Sequence, residues 1–348
     1  MKVATIISTM NRPDFILRQF EFYELMDSPH PIYISDSSNE ENAEKLKNGI
    51  KKFKKLNITY QWAPPGKDCL YLLLPLVKEK YCIWMGDDDI MIPKTISECA
   101  DFLEKHPDYA TCAGKQVDIR FRKEDYNKPY GIIERQTLPL GRSIEDENMF
   151  ARAKNFWSDQ TFLGFMVRRV EVEKEICNIT KHFYLMGDLT EFLLLSVLIT
   201  SGKSRVLNKL GYVMQISNLR SFDHSITANF TSIGEEWSIC EKGFSDILRK
   251  KGISEKESLT AVKGIFILYL ACLYFPHLFS IETSRLSTDQ KESKLDQPGL
   301  LKKLRYFASN LPFLKSIYYK LNPPEYVTKP ESKYFKDFKV VKDFLESH

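Results

Sequence analysis

Three aspartates in a row, Asp87-Asp88-Asp89, directly follow the apolar run Tyr81 to Met85 (YCIWM). Adjacent carboxylates repel one another, and at the end of a buried strand they also lose part of their hydration. A divalent cation with oxygen ligands offsets that cost. Neighbouring residues on an extended segment point to opposite sides, so one ion cannot readily use all three side chains. The same residues would also suit a solvated loop that caps the next helix, since Asp is a common cap. Their place after an apolar strand favours a site for a metal and a diphosphate.

Two other apolar runs end in polar clusters. Val3 to Ser8 (VATIIS) leads into Ser8-Thr9, and Pro31 to Ser35 (PIYIS) leads into Asp36-Ser37-Ser38-Asn39. Rich in β-branched residues, both read as buried strands. Ile58 to Trp62 and Tyr81 to Met85 are two more. Helical segments separate them. Asn11 is a candidate cap and Pro13 a first-turn residue, ahead of Ile16, Phe20 and Tyr23 at helical spacing. A Lys-rich helix is expected over 40–55, a helix kinked at Pro75 over 68–80, and another after Pro93 with Ile96, Cys99 and Leu103 on one face. Strand and helix in alternation give a parallel sheet with helices on both faces, whose ligands bind beyond the carboxyl ends of the strands. The three polar clusters therefore converge. With neither GxGxxG nor GxxxxGK[ST] in this stretch, dinucleotide-binding and P-loop readings have no support.

The middle of the chain, 110–165, is less regular. Residues 120–148 are charged and loop-like. Phe162 to Val167 reads as a strand, Leu189 to Ile199 as an apolar helix, and Arg205 to Ile216 as two extended segments broken near Gly211. Helices are expected over Glu235 to Lys251, Ser254 to Phe275 and Leu300 to Leu321, with a polar linker at 284–297. The last of these is basic and amphipathic, with Pro312 inside it, so it suits either packing on protein or an anionic membrane surface.

The 348 residues are 43% hydrophobic and 28% charged, enough to bury a core. Lys plus Arg (50) nearly balances Asp plus Glu (46), a net +4, which excludes the basic footprint of a dedicated nucleic-acid binder. Seven cysteines without a CxxC pair argue against a zinc ribbon or disulfide framework and for buried free thiols in a reducing compartment. Neither a secretory leader nor a membrane-spanning segment is expected.

In this order and spacing the motifs resemble the inverting family 2 glycosyltransferases of GT-A fold. That family has a Ser or Thr ending the first strand before an Arg-Pro loop, here Ser8-Thr9-Met10-Asn11-Arg12-Pro13. An Asp and a Ser-containing turn follow its second strand, here Asp36-Ser37-Ser38-Asn39. Its aspartate motif precedes apolar residues and a proline, here Gly86-Asp87-Asp88-Asp89-Ile90-Met91-Ile92-Pro93. Later an acidic residue opens a helix before a Gly-Lys turn, here Asp188 and then Gly202-Lys203. The resemblance covers residues 1–228 and implies a GT-A catalytic domain there: a Rossmann-like, mostly parallel α/β sheet flanked by helices. Residues 229–348 would form a C-terminal helical extension for packing, oligomerisation or membrane-surface docking. A chain cut near Lys291 is expected still to bind donor.

The roles carried over are specific. Asp36 would accept from the base edge of a nucleotide, with Thr9 beside the base or ribose and Arg12 in the same nucleotide-sugar site. Counting back from Pro93, the first aspartate of the family's DxD falls on Gly86 and the second on Asp88. That makes Asp88 the ligand bridging Mg²⁺ or Mn²⁺ to the diphosphate, and leaves Asp87 for the ribose. A slip of one residue would instead pair Asp87 with Asp89. Asp188 matches the catalytic base and also suits a helix cap; Glu191 is the fallback base. His224 would complete the metal or diphosphate site, Arg220 and Lys67 are candidate phosphate contacts, and Trp157 is a candidate acceptor platform.

The implied activity is transfer of a sugar from a nucleotide-sugar, with uridine the family's usual base, to a hydroxyl of a glycan or lipid-linked acceptor in bacterial surface polysaccharide synthesis. The implied location is cytoplasmic or peripheral on the inner membrane face. Two alternatives stand beside it. One is a nucleotidyltransferase, against which the glycine-free loop Thr9 to Pro13 counts. The other is a non-catalytic nucleotide- or glycan-binding module, which the missing carboxylate at Gly86 keeps open.

Overall fold

The structure is a computed structural model that describes residues 1–64, 70–158, 165–181, 188–216, 230–274 and 326–347. Four strands form a parallel half-sheet in the order β3-β2-β1-β4: β1 (Ala4–Thr9), β2 (Ile32–Asp36), β3 (Ile58–Trp62) and β4 (Tyr81–Met85). Their register sets Thr9 against Asp36 and Ile7 against Met85, so the polar ends of β1, β2 and β4 share one edge. The chain runs from β1 outward through β2 and β3 and returns on the other side at β4. The β1/β4 junction is thus the switch point at which such sheets bind ligands.

The helices between these strands form for the expected reasons, with one change at a cap. Helix α1 (Pro13–Leu25) starts at a proline and buries Ile16, Phe20 and Tyr23 completely. Its N-cap is Arg12, not Asn11. Asn11 takes a left-handed φ of 57°, and its side-chain carbonyl accepts from the Asn39 amide at 2.9 Å, fastening the loop after β1 to the turn after β2. Helix α2 (Glu40–Ile50) is capped by Asn39, which accepts from the Asn42 amide at 2.9 Å. Beyond the short α3 (Leu70–Leu73), residues 74–76 around Pro75 tighten into a 3₁₀ turn, so the helix stops there instead of kinking.

The other half of the sheet is mixed. From β4 outward it runs through β8 (Val167–Arg169), β6 (Tyr109–Phe121), β9 (Lys203–Gln215) and β5 (Ile90–Met91); β7 (Ile133–Gln136) pairs β6. β8 is antiparallel to β4 and β6, β6 is parallel to β9, and β5 is antiparallel to β9. Four strand spacings cover about 19 Å, yet β4 and β5 are joined by four residues containing a turn, which reach less than about 17 Å. The sheet therefore curls, and the aspartate turn spans from the end of β4 to the end of β9.

β6 is a 13-residue strand where irregular structure was expected, and β9 is continuous through Gly211. The glycines explain both. A Cβ on Gly114 would sit 2.6 Å from the Gly211 Cα, so the two strands pass with backbones in contact at the cost of register shifts.

Three buried clusters support this sheet. The first joins α1, α4 (Pro93–Lys105) and β1, β2 and β4 to α10 (Phe335–Glu346), the last helix. Phe344 meets Phe22 edge-on at 5.2 Å, and the Leu345 carbonyl accepts from the Gly131 amide at 3.0 Å. The end of the expected C-terminal region is thus part of the first core. The second cluster holds α5 (Met149–Ser158), α7 (Asp188–Ser201), α8 (Phe230–Lys250) and α9 (Glu255–Tyr274) around Phe192, Phe244 and Tyr269. Trp157 is 5% exposed and packs on Phe156 and Tyr269, which removes it as an acceptor platform. The smaller third cluster underlies β1 and β4, near α6 (Val170–Thr180). Cys82, Cys99, Cys112, Cys177 and Cys240 are buried free thiols. Among the described residues no helix is long and apolar enough to cross a membrane. Residues 300–321 lie outside the description.

Candidate functional site

The strand register places four of the expected residues together. The Thr9 hydroxyl donates to Asp87 Oδ2 at 2.9 Å across the β1/β4 switch point. Arg12 then bridges two carboxylates: its Nη1 lies 2.5 Å from Asp87 Oδ1 and its Nη2 lies 3.0 Å from Asp88 Oδ2. The guanidinium rests over the Phe15 ring at 4.1 Å. Arg12 and Asp88 are partly exposed, at 21% and 18%, while Asp87 is buried. Burial pushes the Asp87 carboxyl up to about 6, against the pull of Arg12, and the charge of Asp88 adds to the rise.

Asp36 is fully buried. Its Oδ1 accepts from the Ser38 amide at 2.8 Å and its Oδ2 from the Tyr60 hydroxyl at 2.7 Å. The Ser37 amide reaches the Thr9 carbonyl at 3.0 Å, and the Trp62 indole N–H reaches the Ser38 carbonyl at 2.9 Å. Held from β1, β2 and β3 in this way, the turn is a rigid shelf beside Thr9.

Asp89 takes another direction. It is 3% exposed, accepts from the Gln215 amide at 2.9 Å and takes the Tyr212 hydroxyl hydrogen bond. Burial first, and then the charge of Asp88, pushes its carboxyl well above the usual carboxylate range. The alternative pairing of Asp87 with Asp89 is therefore not assembled. The same packing accounts for Gly86. A Cβ there would lie 2.4 Å from Asp89 Oδ2 and 3.1 Å from Asp88 Oδ1, so a side chain has no room where the family's first aspartate would stand.

Residues missed from the sequence hold the turn from below. Gln19 Nε2 donates to the carbonyls of Gly86 at 2.6 Å and Asp89 at 2.9 Å. Arg18, 1% exposed, donates to the carbonyls of Asp88 and Pro129 and to Gln215 Oε1 at 2.6 Å. Burial lowers its pKa to about 10. The available signal was two polar residues, Arg18 and Gln19, set among the apolar positions of α1. Gln215, which Arg18 reaches, and Tyr212, which donates to Asp89, had no local signal.

Asp188 is the first residue of α7, which packs through Leu189 and Phe192 into the second cluster. The Asp188 side chain, Lys67, Arg220 and His224 fall outside what the structure describes. Among the described residues no three His, Cys, Asp or Glu side chains are grouped to hold a metal. What the turn offers a cation is the hard carboxylate oxygens of Asp88, since both oxygens of Asp87 are held by Thr9 and Arg12. That suits Mg²⁺ or Mn²⁺ with the remaining ligands drawn from water or a phosphate.

No known family profile matches the chain, and no curated protein does. Many solved structures resemble it, three of them as follows. The S. aureus TarS fragment 1–349 aligns at a TM-score of 0.49 with 13% identity, covering 99% of this chain and 89% of that one. The same fragment in complex with UDP-GlcNAc aligns at 0.47 with 15% identity, covering 99% and 90%. The mannosyltransferase PcManGT from Pyrobaculum calidifontis, in complex with GDP-Man and Mn²⁺, aligns at 0.43 with 10% identity, covering 83% and 81%. Likeness of that degree carries no argument about what this chain binds. The chemistry has to come from its own residues.

Proposed function

We propose that this chain is a GT-A-type inverting glycosyltransferase that takes a sugar from a nucleotide-sugar, a UDP-sugar in the first instance, and passes it to a hydroxyl of a glycan or lipid-linked acceptor. The observation that carries the reading is the meeting of Thr9, Arg12, Asp87 and Asp88 at the β1/β4 switch point, beside the shelf built on Asp36. Open α/β sheets bind nucleotides at this place.

In this reading the turn that buried Asp36 holds and Thr9 line the nucleoside, Asp36 acting through the turn and not at the base edge itself, with Asp87 at the ribose. Asp88 is the protein ligand of a divalent cation, joined by His224. When bound, the cation supplies positive charge to the diphosphate as it leaves. Arg12 faces the same phosphates. The acceptor hydroxyl oxygen bonds to the anomeric carbon while the bond from that carbon to the phosphate oxygen breaks. Asp188 takes the hydroxyl proton. Residues 1–228 form the catalytic unit. The helices after residue 229 brace it, and the basic segment 300–321 holds it at the inner membrane face, where a lipid-linked acceptor for surface polysaccharide would lie.

A donor screen tests the reading. The full chain is incubated with Mn²⁺ and UDP-, GDP-, CDP- or dTDP-sugars, and released nucleotide is measured. Release from one donor class supports transferase chemistry. A chain that binds nucleotide yet releases none from any donor, with acceptor glycans present, points to the non-catalytic module.

A further inference from the structure

Arg12 occupies the span between two carboxylates, and that position has a consequence for ligand binding. Its two terminal nitrogens are divided between Asp87 and Asp88 instead of gripping one carboxylate. One of the two, Asp88, is the carboxylate that would hold a divalent cation. The guanidinium lies flat on Phe15 and keeps 21% of its surface in solvent, so it has a supporting wall and an outward path. Arg18 cannot substitute for it. It is buried beneath the turn and committed to the carbonyls of Asp88 and Pro129 and to Gln215.

We propose that Arg12 is an exchangeable counter-cation that makes the divalent metal and the nucleotide diphosphate bind as a pair. The inference rests on the nucleotide-sugar reading of the site and adds its order of assembly. A metal arriving alone has to displace the guanidinium from Asp88 and leave it with one carboxylate, Asp87, in place of two. A diphosphate arriving alone meets an arginine already neutralised by two carboxylates. When both arrive, the metal takes Asp88 and Arg12 turns to the phosphate oxygens, where charge-assisted hydrogen bonds replace those it gave up. The coupling is reciprocal, since each ligand tightens the other by the same factor.

The test is titration of Mn²⁺ into the full chain with and without UDP, followed by calorimetry or by the electron paramagnetic signal of free Mn²⁺. It compares the parent with Arg12→Gln and Arg12→Lys. Without UDP, Arg12→Gln should bind Mn²⁺ tighter than the parent by roughly 10-fold or more, the scale of a lost charged hydrogen bond. Its UDP affinity at saturating Mn²⁺ should fall by a similar factor. A merely structural role predicts the opposite sign for the metal. Should the glutamine variant fail to fold, Arg12→Lys serves: one ammonium cannot span both carboxylates, so Mn²⁺ affinity should still rise. Mn²⁺ affinity that is unchanged or weaker in the folded variant overturns the inference while UDP binding leaves the nucleotide reading standing. A parent that binds no UDP with any metal overturns that reading and this inference with it.

Discussion

The Asp89 carboxylate accepts the main-chain N–H of Gln215 at 2.9 Å, joining residues 126 apart. That bond divides the three adjacent aspartates into two jobs. Asp89 ties the turn to the end of β9, and Asp87 and Asp88 pair with Arg12. Asp89→Ala would strand the Tyr212 hydroxyl and the Gln215 N–H in the interior, at about 1–3 kcal/mol each. Its expected cost is about 2–6 kcal/mol. Asp88→Asn loses one partly exposed ion pair and should cost no more than about 1 kcal/mol. Urea unfolding of the two variants measures the contrast, and equal losses would show that the division is wrong.

Gly86 supplies a second test. If the family pattern simply lacked a carboxylate here, Gly86→Asp would restore it and strengthen cation binding. The structure gives the opposite expectation, because the new Cβ would sit 2.4 Å from Asp89 Oδ2. Overpacking of this kind costs about 1–3 kcal/mol. The variant should melt earlier and bind Mn²⁺ with UDP no better than the parent. Tighter binding without loss of stability would refute the packing account.

The sequence carried the first half of the sheet well. β1, β2, β3 and β4 are short apolar or β-branched runs closed by polar turns, and the residues that make those turns are also the site. β6 was hidden because Lys115, Gln116, Asp118 and Arg120 interrupt its apolar pattern, with Gly114 placed for contact with a strand nearly a hundred residues later. No local rule could sort Asp87, Asp88 and Asp89, because the choice is made by Tyr212 and Gln215. The choice of Asp88 by its spacing to Pro93 came from the family resemblance; in the structure its carboxylate pairs with Arg12. The last helix was missed for a similar reason: its apolar positions have meaning only against α1.

That helix makes the tail a stability element. Phe338 is 1% exposed and Val341 is fully buried in the first cluster. Phe338→Ala should lower stability by about 3–5 kcal/mol, the range for removing a buried aromatic side chain. By the same argument a chain cut near Lys291 should lose thermal stability along with the helix. Thermal melts of the point variant and the truncation check this, and parental melting of both would exclude the role.

His30 gives a pH signature. It is 1% exposed, accepts from the Val3 amide on Nδ1 at 3.1 Å and directs Nε2 at the Pro93 carbonyl at 2.9 Å. Burial lowers its pKa below the ordinary 6.5, so the native ring stays neutral where the unfolded ring is protonated. The unfolded state then binds more protons, and the stability His30 contributes falls as pH drops through 6.5 toward the folded value. His30→Gln should therefore be less stable than the parent at about pH 7.5, with the gap narrowing toward about pH 5. A gap that is constant or widens in acid would contradict the neutral assignment.

The central claim is that the end of β4 is a cation-assisted site for a nucleotide diphosphate. Calorimetric titration of UDP in the presence of Mn²⁺ tests it most directly, on the parent, Asp88→Asn and Asp188→Asn. The account predicts that the parent binds, that Asp88→Asn loses at least roughly 10-fold in affinity, and that Asp188→Asn binds as the parent does. A parent without affinity for UDP, or an Asp88→Asn variant that binds UDP and Mn²⁺ unchanged, would contradict it.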